Sequence, residues 1–509
     1  MRATEIPRPA QNDNKPFLEV DPMALRVFNS LTRKLETFEP VHEGQVGIYV
    51  CGPTVHNDAH LGHGKTYTNF DTVVRYLRYV GYYVLHVQNI TDVGHLLDTG
   101  EDRILKGAKR ERLNPWVLAE YYTRRFFRDM DALNIVRPDI TPRASGHIPE
   151  QIELTKTLLE KGHAYEANGS VYFSVRNWSG YGKLTGRKVD ELMEGARVDV
   201  LPEKRDPADF ALWKRAEPQH IMQWPSPWGM GFPGWHIECS AMSAKYLGQP
   251  FDIHGGGMEN KFPHHECEIA QSEAATGKPF AKYWLHNGML MIRGEEMHKS
   301  LGNFITLEQA CTQYSPMAIR FFILGSHYRS PLDVTDESLT SAARGAERLY
   351  HTMRRLRAQI DEATPGAAEP GVTAMLKEAE GHFRDAMDDD FNTATALAVL
   401  FDLNREVNRM LNESAPISRE AWQEVDTLYG RLVGHVLGLV TPETYQAQTA
   451  GLTDDLLKLL VDTRAELRTA KQWALADQIR DRLMSLGVVL EDKPGSTAWR
   501  LRPPEAAEE

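Results

Sequence analysis

Two histidines lie three residues apart in His60-Leu61-Gly62-His63-Gly64, directly ahead of a stretch with helical periodicity. Tyr67, Phe70, Val73, Val74, Leu77 and Val80 carry that period until Gly81 stops it. Upstream, Ile48-Tyr49-Val50 is a short apolar run closed by Cys51-Gly52-Pro53. Downstream, Val84, Leu85, Val87 and Ile90 read as the next strand. The histidines thus sit in a strand–loop–helix–strand unit, at the N-terminus of its helix. Exposed amide hydrogens there favour anions, and imidazole donors can meet charge that develops during a reaction. The ligand expected of this loop is a nucleotide phosphate.

A second set of residue types points to a metal. Cys51 ends the first strand, Cys239 lies in Gly234-Trp235-His236-Ile237-Glu238-Cys239, and His264 and Glu268 lie in Phe262-Pro263-His264-His265-Glu266-Cys267-Glu268. Positions four apart on a helix share a face, so His264 and Glu268 can hold one ion. Two thiolates, an imidazole and a carboxylate form a zinc set, with Cys267 as a rival fourth ligand near the same face. Zinc held by such anionic donors is a poor activator of water but can accept a soft ligand. A substrate thiolate suits that site and a serine hydroxyl does not, which would separate cysteine from serine without an editing site.

These residues need a scaffold of several domains, since 509 residues exceed one ordinary core. Hydrophobic residues at 42% and charged residues at 25% fit a soluble globular chain, and no apolar run approaches membrane-spanning length. Four cysteines make no disulfide framework, which points to a reducing, cytoplasmic setting. A net charge of −12 leaves any nucleic-acid contact to local basic surfaces. The class expected is α/β: a Rossmann-like parallel sheet over 24–330, interrupted by an insertion at about 120–235, after a disordered extension at 1–23. The sheet's second half resumes at Phe251 to Gly257. After Pro331 long amphipathic helices predict a bundle over 331–452, with Ala363 to Val372 as a linker. A small α+β unit over 453–509 ends in a hairpin around Pro494-Gly495. Arg344, Arg348 and Arg355 can share one helical face toward RNA, and Trp499 on the hairpin can stack on a base.

The combination of motifs resembles the cysteinyl-tRNA synthetase family of class I aminoacyl-tRNA synthetases. The resemblance is carried by Tyr49 to Val55, the histidine loop, Asn89-Ile90-Thr91-Asp92, Gly234 to Met242, His254 to Ala270, Glu296 to Asn303, Gly325 to Ser330 and Asp477 to Trp499. It implies ATP-dependent activation of L-cysteine and transfer to tRNA(Cys), by a monomer using one zinc and Mg²⁺ with ATP. It implies zinc at Cys51, Cys239, His264 and Glu268, a cysteine pocket at Thr91 and Trp235, and ATP contacts at His60, Gly62, His63, Gly255 and Glu259. Lys299 would act on the phosphates, so that His60, His63 and Lys299 form the catalytic group. The bundle and the last unit would read the anticodon. Three departures stand out: Glu296 and His298 replace a usual lysine and serine, Glu259 a usual aspartate, and Asp92-Val93-Gly94-His95 a more acidic run. Two other functions share parts of this pattern, a cysteine ligase with an amino-sugar acceptor and a non-catalytic synthetase-like RNA-binding protein.

Overall fold

The computed structural model describes residues 24–94, 103–194, 203–218, 220–297, 303–413, 417–440, 442–485, 488–493 and 496–501. The extension expected at 1–23, together with His95, His298 and Lys299, lies outside them. Two short strands, β1 (Arg26–Asn29) and β2 (Lys34–Thr37), pair antiparallel ahead of the main sheet. That sheet begins with β3 (Gln45–Val50), crosses through α1 (Leu61–Tyr79) and returns as β4 (Tyr83–Gln88). Val46, Ile48, Tyr49 and Val50 are all buried, the near-continuous apolar run of a strand covered on both faces.

The chain then leaves the sheet. Helices α2 (Arg103–Glu111), α3 (Pro115–Ala132) and α4 (Ile148–Glu160) lead to β5 (Ala164–Ala167) and β6 (Ser170–Phe173). After the short α5 (Val189–Glu194), β7 (Phe210–Arg215), β8 (Trp224–Ser226) and β9 (Gly229–Pro233) complete a five-stranded antiparallel sheet, ordered β5-β6-β7-β9-β8. Helix α6 (Trp235–Leu247) brings the chain back to β10 (Phe251–Gly257), and α7 (Glu266–Thr276) connects it to β11 (Ala281–Asn287). The main sheet has the order β11-β10-β3-β4 with every pairing parallel. Its order reverses between β3 and β10, the position at which open α/β sheets place ligands beyond their strand ends.

A small hairpin, β12 (Leu290–Ile292) with β13 (Glu295–Glu296), precedes the segment of Lys299, and α8 (Leu307–Gln313) and α9 (Pro316–Leu324) follow it. Strand β14 (Leu332–Val334) runs parallel to β12. Helices α10 (Asp336–Glu362), α11 (Pro370–Asp388), α12 (Thr393–Asn412) and α13 (Arg419–Tyr429) come next. The linker expected through Val372 ends at Glu369, because Pro370 occupies the first turn of α11, where its missing N–H costs nothing. Residues through Val440 form one compact unit, with α10 packed on α9 across 330/331. Thr441 onward forms a second, with α14 (Pro442–Thr469), α15 (Trp473–Ser485) and the antiparallel pair β15 (Val488–Lys493) and β16 (Ser496–Leu501). Among the described residues no helix is long and apolar enough to cross a membrane.

Candidate functional site

At the C-terminal edge of β3 and β10 lies a cavity of about 540 Å³. Its wall brings together residues as far apart in the chain as Cys51 and Phe304, with His60, His63, Thr91, Trp235, Cys239, Glu259 and His264 between them.

The two histidines form the first turn of α1. His60 is its N-cap in extended backbone, and its Nδ1 accepts the His63 N–H at 3.3 Å while His63 Nδ1 accepts the His60 N–H at the same distance. This reciprocal cap satisfies two orphan amides, as a serine–glutamate box does elsewhere. The rings stack with centroids 3.8 Å apart. With Nδ1 accepting, each neutral ring carries its proton on Nε2. Burial, with His60 and His56 beside it, holds His63 well below the usual histidine range, so its ring stays neutral at pH 7. Each ring thus offers one Nε2–H donor. Gly62 is required for the stack, since a Cβ there would come within 2.9 Å of the His60 ring.

The cavity floor carries Cys51, Cys239 and His264, with the Glu268 carboxylate buried behind them. One sulfur, nitrogen or oxygen atom from each of Cys51, Cys239, His264 and Glu268 lies within 4.8 Å of the others, and all four residues are buried. The helical register supplies the His264–Glu268 contact, Nε2 to Oε1 at 2.6 Å, although a wide turn over Lys261–His265 precedes α7. Burial and Cys239 push the Cys51 thiol well up. Against burial, hydrogen bonds from Cys51 and His264 bring Cys239 down to about 6. Burial opposes charge on Glu268 as well, yet His254 and His264 hold it well below the usual carboxylate range. His264 in turn rises to about 10 against burial, through Glu268 and Cys239. A buried point that draws a proton onto an imidazole between a thiolate and a carboxylate is one that favours a cation.

Cys267 is turned elsewhere. Its sulfur lies 3.4 Å from the Tyr181 hydroxyl, inside the apolar cluster beneath the insertion's sheet. Two histidines that the spacing did not single out sit below the floor instead. His254 hydrogen-bonds Glu268, His265 Nε2 lies 3.3 Å from Cys51 Sγ, and these four residues form an alternative metal set. Neither His254 nor His265 reaches the cavity wall. In the sequence His254 lies mid-way along the Phe251 to Gly257 strand and His265 directly follows His264, and neither position alone separates an orienting histidine from a packed one.

Trp235 starts α6 and lies over the His264 ring at 4.3 Å between centroids. Thr91 is locked to the Cys51 loop: its Oγ1 accepts from Asn89, its N–H donates to the Pro53 carbonyl, and Asn89 Oδ1 takes the Gly52 N–H at 2.8 Å. A Cβ at Gly52 would fall 1.5 Å from the Asn89 carbonyl oxygen, so only glycine fits there. Gly255, expected against ATP, packs inside the main sheet. It pairs with Val50 and Leu285 inside the sheet, and the Phe70 ring fills the space its Cβ would need. Gly257 at the strand's end is the glycine that reaches the cavity. Phe304, not foreseen, meets the His60 ring edge-on at 5.3 Å.

Away from this cavity, the three bundle arginines do not act alike. Arg344 is exposed. Arg348 lies over the Phe401 ring at 5.0 Å, and Arg355 is tied to α12 by hydrogen bonds to Asn408 and Asn412 at 3.0 and 2.8 Å. Arg348 thereby joins a polar groove with Asn404, Arg405, Asn408, Arg409 and Asn412 of α12. The three asparagines, four residues apart, mark one face of that helix. Trp499 falls in β16, and its side chain lies outside the described residues.

Residues 37–344 match the family of class I (C) tRNA synthetase catalytic domains, 382–441 the DALR domain, and 449–500 the cysteinyl-tRNA ligase anticodon binding domain. The chain is 50% identical to a cysteine–tRNA ligase of Chlorobium chlorochromatii over 488 residues, covering 94% of this chain and 100% of that one. It is 49% identical to that of Thermus thermophilus over 483 residues, covering 94% and 100%, and 47% identical to that of Thermococcus onnurineus over 482 residues, covering 94% and 99%. Among solved structures, Mycobacterium tuberculosis methionyl-tRNA synthetase in complex with methionyl-adenylate shares the fold at TM-score 0.55. The identity is 16%, over 78% of this chain and 90% of that one. A leucyl enzyme, in the ternary complex of Agrobacterium radiobacter K84 agnB2 LeuRS with tRNA and LeuAMS, does so at 0.57 and 12% identity, over 81% and 86%.

Proposed function

This chain belongs to the cysteine–tRNA ligases, class I synthetases that join cysteine to tRNA with ATP, and from that premise we propose a division of labour among its residues. The observation carrying the proposal is that Cys51, Cys239 and His264 line one cavity with the paired histidines, and the buried Glu268 carboxylate completes their set from behind. Cys51, Cys239, His264 and Glu268 hold a metal. The donor set suits zinc, which when bound would give a cysteine thiolate a soft partner and a serine hydroxyl none. The His254–His265 set is disfavoured for this role, since of its four residues only Cys51 lines the cavity, whereas Cys51, Cys239 and His264 of the first set all do. Those two histidines instead orient Glu268 and Cys51 through their hydrogen bonds.

Trp235 and the rigid Cys51–Thr54 and Asn89–Thr91 pair form the walls that orient cysteine. In the first step its carboxylate oxygen bonds to the α-phosphorus of MgATP, and the bond from that phosphorus to the departing pyrophosphate oxygen breaks. The Nε2–H donors of His60 and His63 meet the negative charge on the phosphate oxygens, with Lys299 meeting charge on the leaving pyrophosphate. No protein nucleophile is needed, only placement and charge stabilisation. A terminal ribose hydroxyl of tRNA then takes the cysteinyl group and AMP leaves. Glu259, at the cavity rim, is the acceptor available to the ATP ribose. The groove of Arg348, Asn404, Asn408 and Asn412 is a phosphate and ribose contact for tRNA, and residues 449–500 read its anticodon. An amino-sugar acceptor would leave that last domain without a use.

The test is ATP–pyrophosphate exchange followed by tRNA charging. Exchange should depend on cysteine, should ignore serine, and should be lost in Cys239→Ser together with bound zinc. Equal exchange with serine, or exchange by a zinc-free protein, would refute the assignment.

A further inference from the structure

Lys65 lies two residues past the histidine pair, on α1, and is only 1% exposed. A lysine on the first turns of an amphipathic helix normally reaches solvent. This one reaches three backbone carbonyls, with Nζ at 2.6 Å from Gly288, 3.2 Å from Met289 and 2.7 Å from Ser330. These carbonyls converge where the chain running from β11 into β12 crosses the chain running into β14. The Gly288 N–H donates to Tyr328, the Leu332 N–H donates to Met289, and a Cβ at Gly288 would fall 2.5 Å from the Arg329 and Ser330 backbone. From the other side Asp390 accepts from Tyr328 and Arg329, at 2.9 and 2.6 Å. The motif Gly325 to Ser330 is therefore the far jaw of a clamp on this crossing. Burial lowers Lys65 to about 8, with Glu259 opposing, so it remains cationic at neutral pH.

The hairpin β12–β13 leads directly into the segment of Lys299, and residues beyond that segment return to the histidine loop. There the Leu61 N–H donates to Ile305, the Leu307 N–H donates to Ala59, and His60 pairs with Thr306. The returning segment is thus fixed to the histidine loop by main-chain bonds, and the root of the outgoing hairpin is bonded to α1 through the buried Lys65 ammonium. We propose that Lys65 is a positioning residue for adenylation, holding the root of the β12–β13 hairpin at a fixed distance from His60 and His63. This rests on the assignment of Lys299 made above. Lys65 touches no substrate, and it acts through where it sets β12.

The experiment is pyrophosphate exchange by Lys65→Met, Lys65→Gln, Lys65→Arg, Lys299→Ala and the Lys65→Met/Lys299→Ala double variant. Lys65→Met should lower kcat by about 10²-fold, the scale of an ångström-sized misplacement, with KM for cysteine within about threefold of the parent. Lys65→Arg, which can reach the same carbonyls, should restore kcat to within about threefold, and Lys65→Gln should fall between. The double variant should be little slower than Lys299→Ala, because the two residues act in series. An unchanged kcat in Lys65→Met would overturn the proposal. So would a loss shared equally by KM for cysteine, a loss that Arg does not restore, or losses that multiply in the double variant. If Lys65→Met does not fold, Lys65→Gln takes its place in the cycle. A harmless Lys299→Ala would instead overturn the earlier assignment, a result readable before any Lys65 variant is made.

Discussion

Cys239 and Cys267 are both buried thiols, and their neighbours give them opposite characters. Cys239 is drawn to about 6 by hydrogen bonds from Cys51 and His264, whereas burial in an apolar cluster pushes Cys267 up, out of the range in which a thiolate forms. Geometry decides between them: the Cys239 sulfur lies with Cys51, His264 and Glu268, whereas the Cys267 sulfur faces the Tyr181 hydroxyl. Cys239→Ser should therefore lose zinc and at least about 10²-fold in cysteine activation, with ATP binding unchanged. Cys267→Ala should keep zinc and activity, and lower the melting temperature only slightly, since it removes one small buried side chain. Metal analysis beside a thermal melt separates the two, and loss of zinc from Cys267→Ala would show the wrong sulfur was chosen. Residue types were legible at this scale because a metal concentrates rare side chains at recognisable spacings. Lys65 was not, since one helix's sequence cannot tell which of its polar positions another strand will cross. The packing role of Gly255 was not legible either, since a glycine needed to seat Phe70 looks the same as one needed to admit a nucleotide.

At the scale of elements, the strands that carry the site also set its response to acid. His86 lies on β4 beside Ile48 of β3, and burial lowers it from 6.5 to about 4, with Asp139 opposing. An unfolded chain takes up a proton at His86 near 6.5, whereas the native one does so only near 4. The stabilising difference is complete above 6.5 and is lost as pH falls through that window. The full difference is roughly 3 kcal/mol, at about 1.4 kcal/mol for each unit. Denaturant melts from pH 7 to pH 4.5 should show stability falling, and His86→Gln should fall less steeply. Parallel slopes would show that other groups govern the acid limb. The parallel sheet and α1 were legible from apolar runs and helical period. The bundle's arginines were legible only as a face, because Arg355's partners, Asn408 and Asn412, lie on a helix more than fifty residues away.

The whole molecule divides at Thr441 into two compact units, and the second carries the match to an anticodon-binding domain. The cavity proposed for cysteine activation is lined entirely by residues of the first. Removing residues 441–509 should leave cysteine-dependent pyrophosphate exchange within about twofold while reducing tRNA charging by orders of magnitude, the cost of losing several base and phosphate contacts. Equal loss in both assays would show that the first unit depends on the second for its fold. The architecture was readable in outline from composition shifts along the chain. The boundary fell at 441 and not at 453 because α14 is one continuous helix of 28 residues, and its first turns carry no apolar period that marks a start. The central claim, that the buried floor recognises cysteine by its sulfur, is met most directly by replacing zinc with cobalt and recording the absorption spectrum as amino acid is added. Cysteine should raise the thiolate-to-cobalt charge-transfer band in proportion to its occupancy, and serine should leave the band unchanged. A spectrum indifferent to cysteine, in a protein that still activates it, would contradict the account.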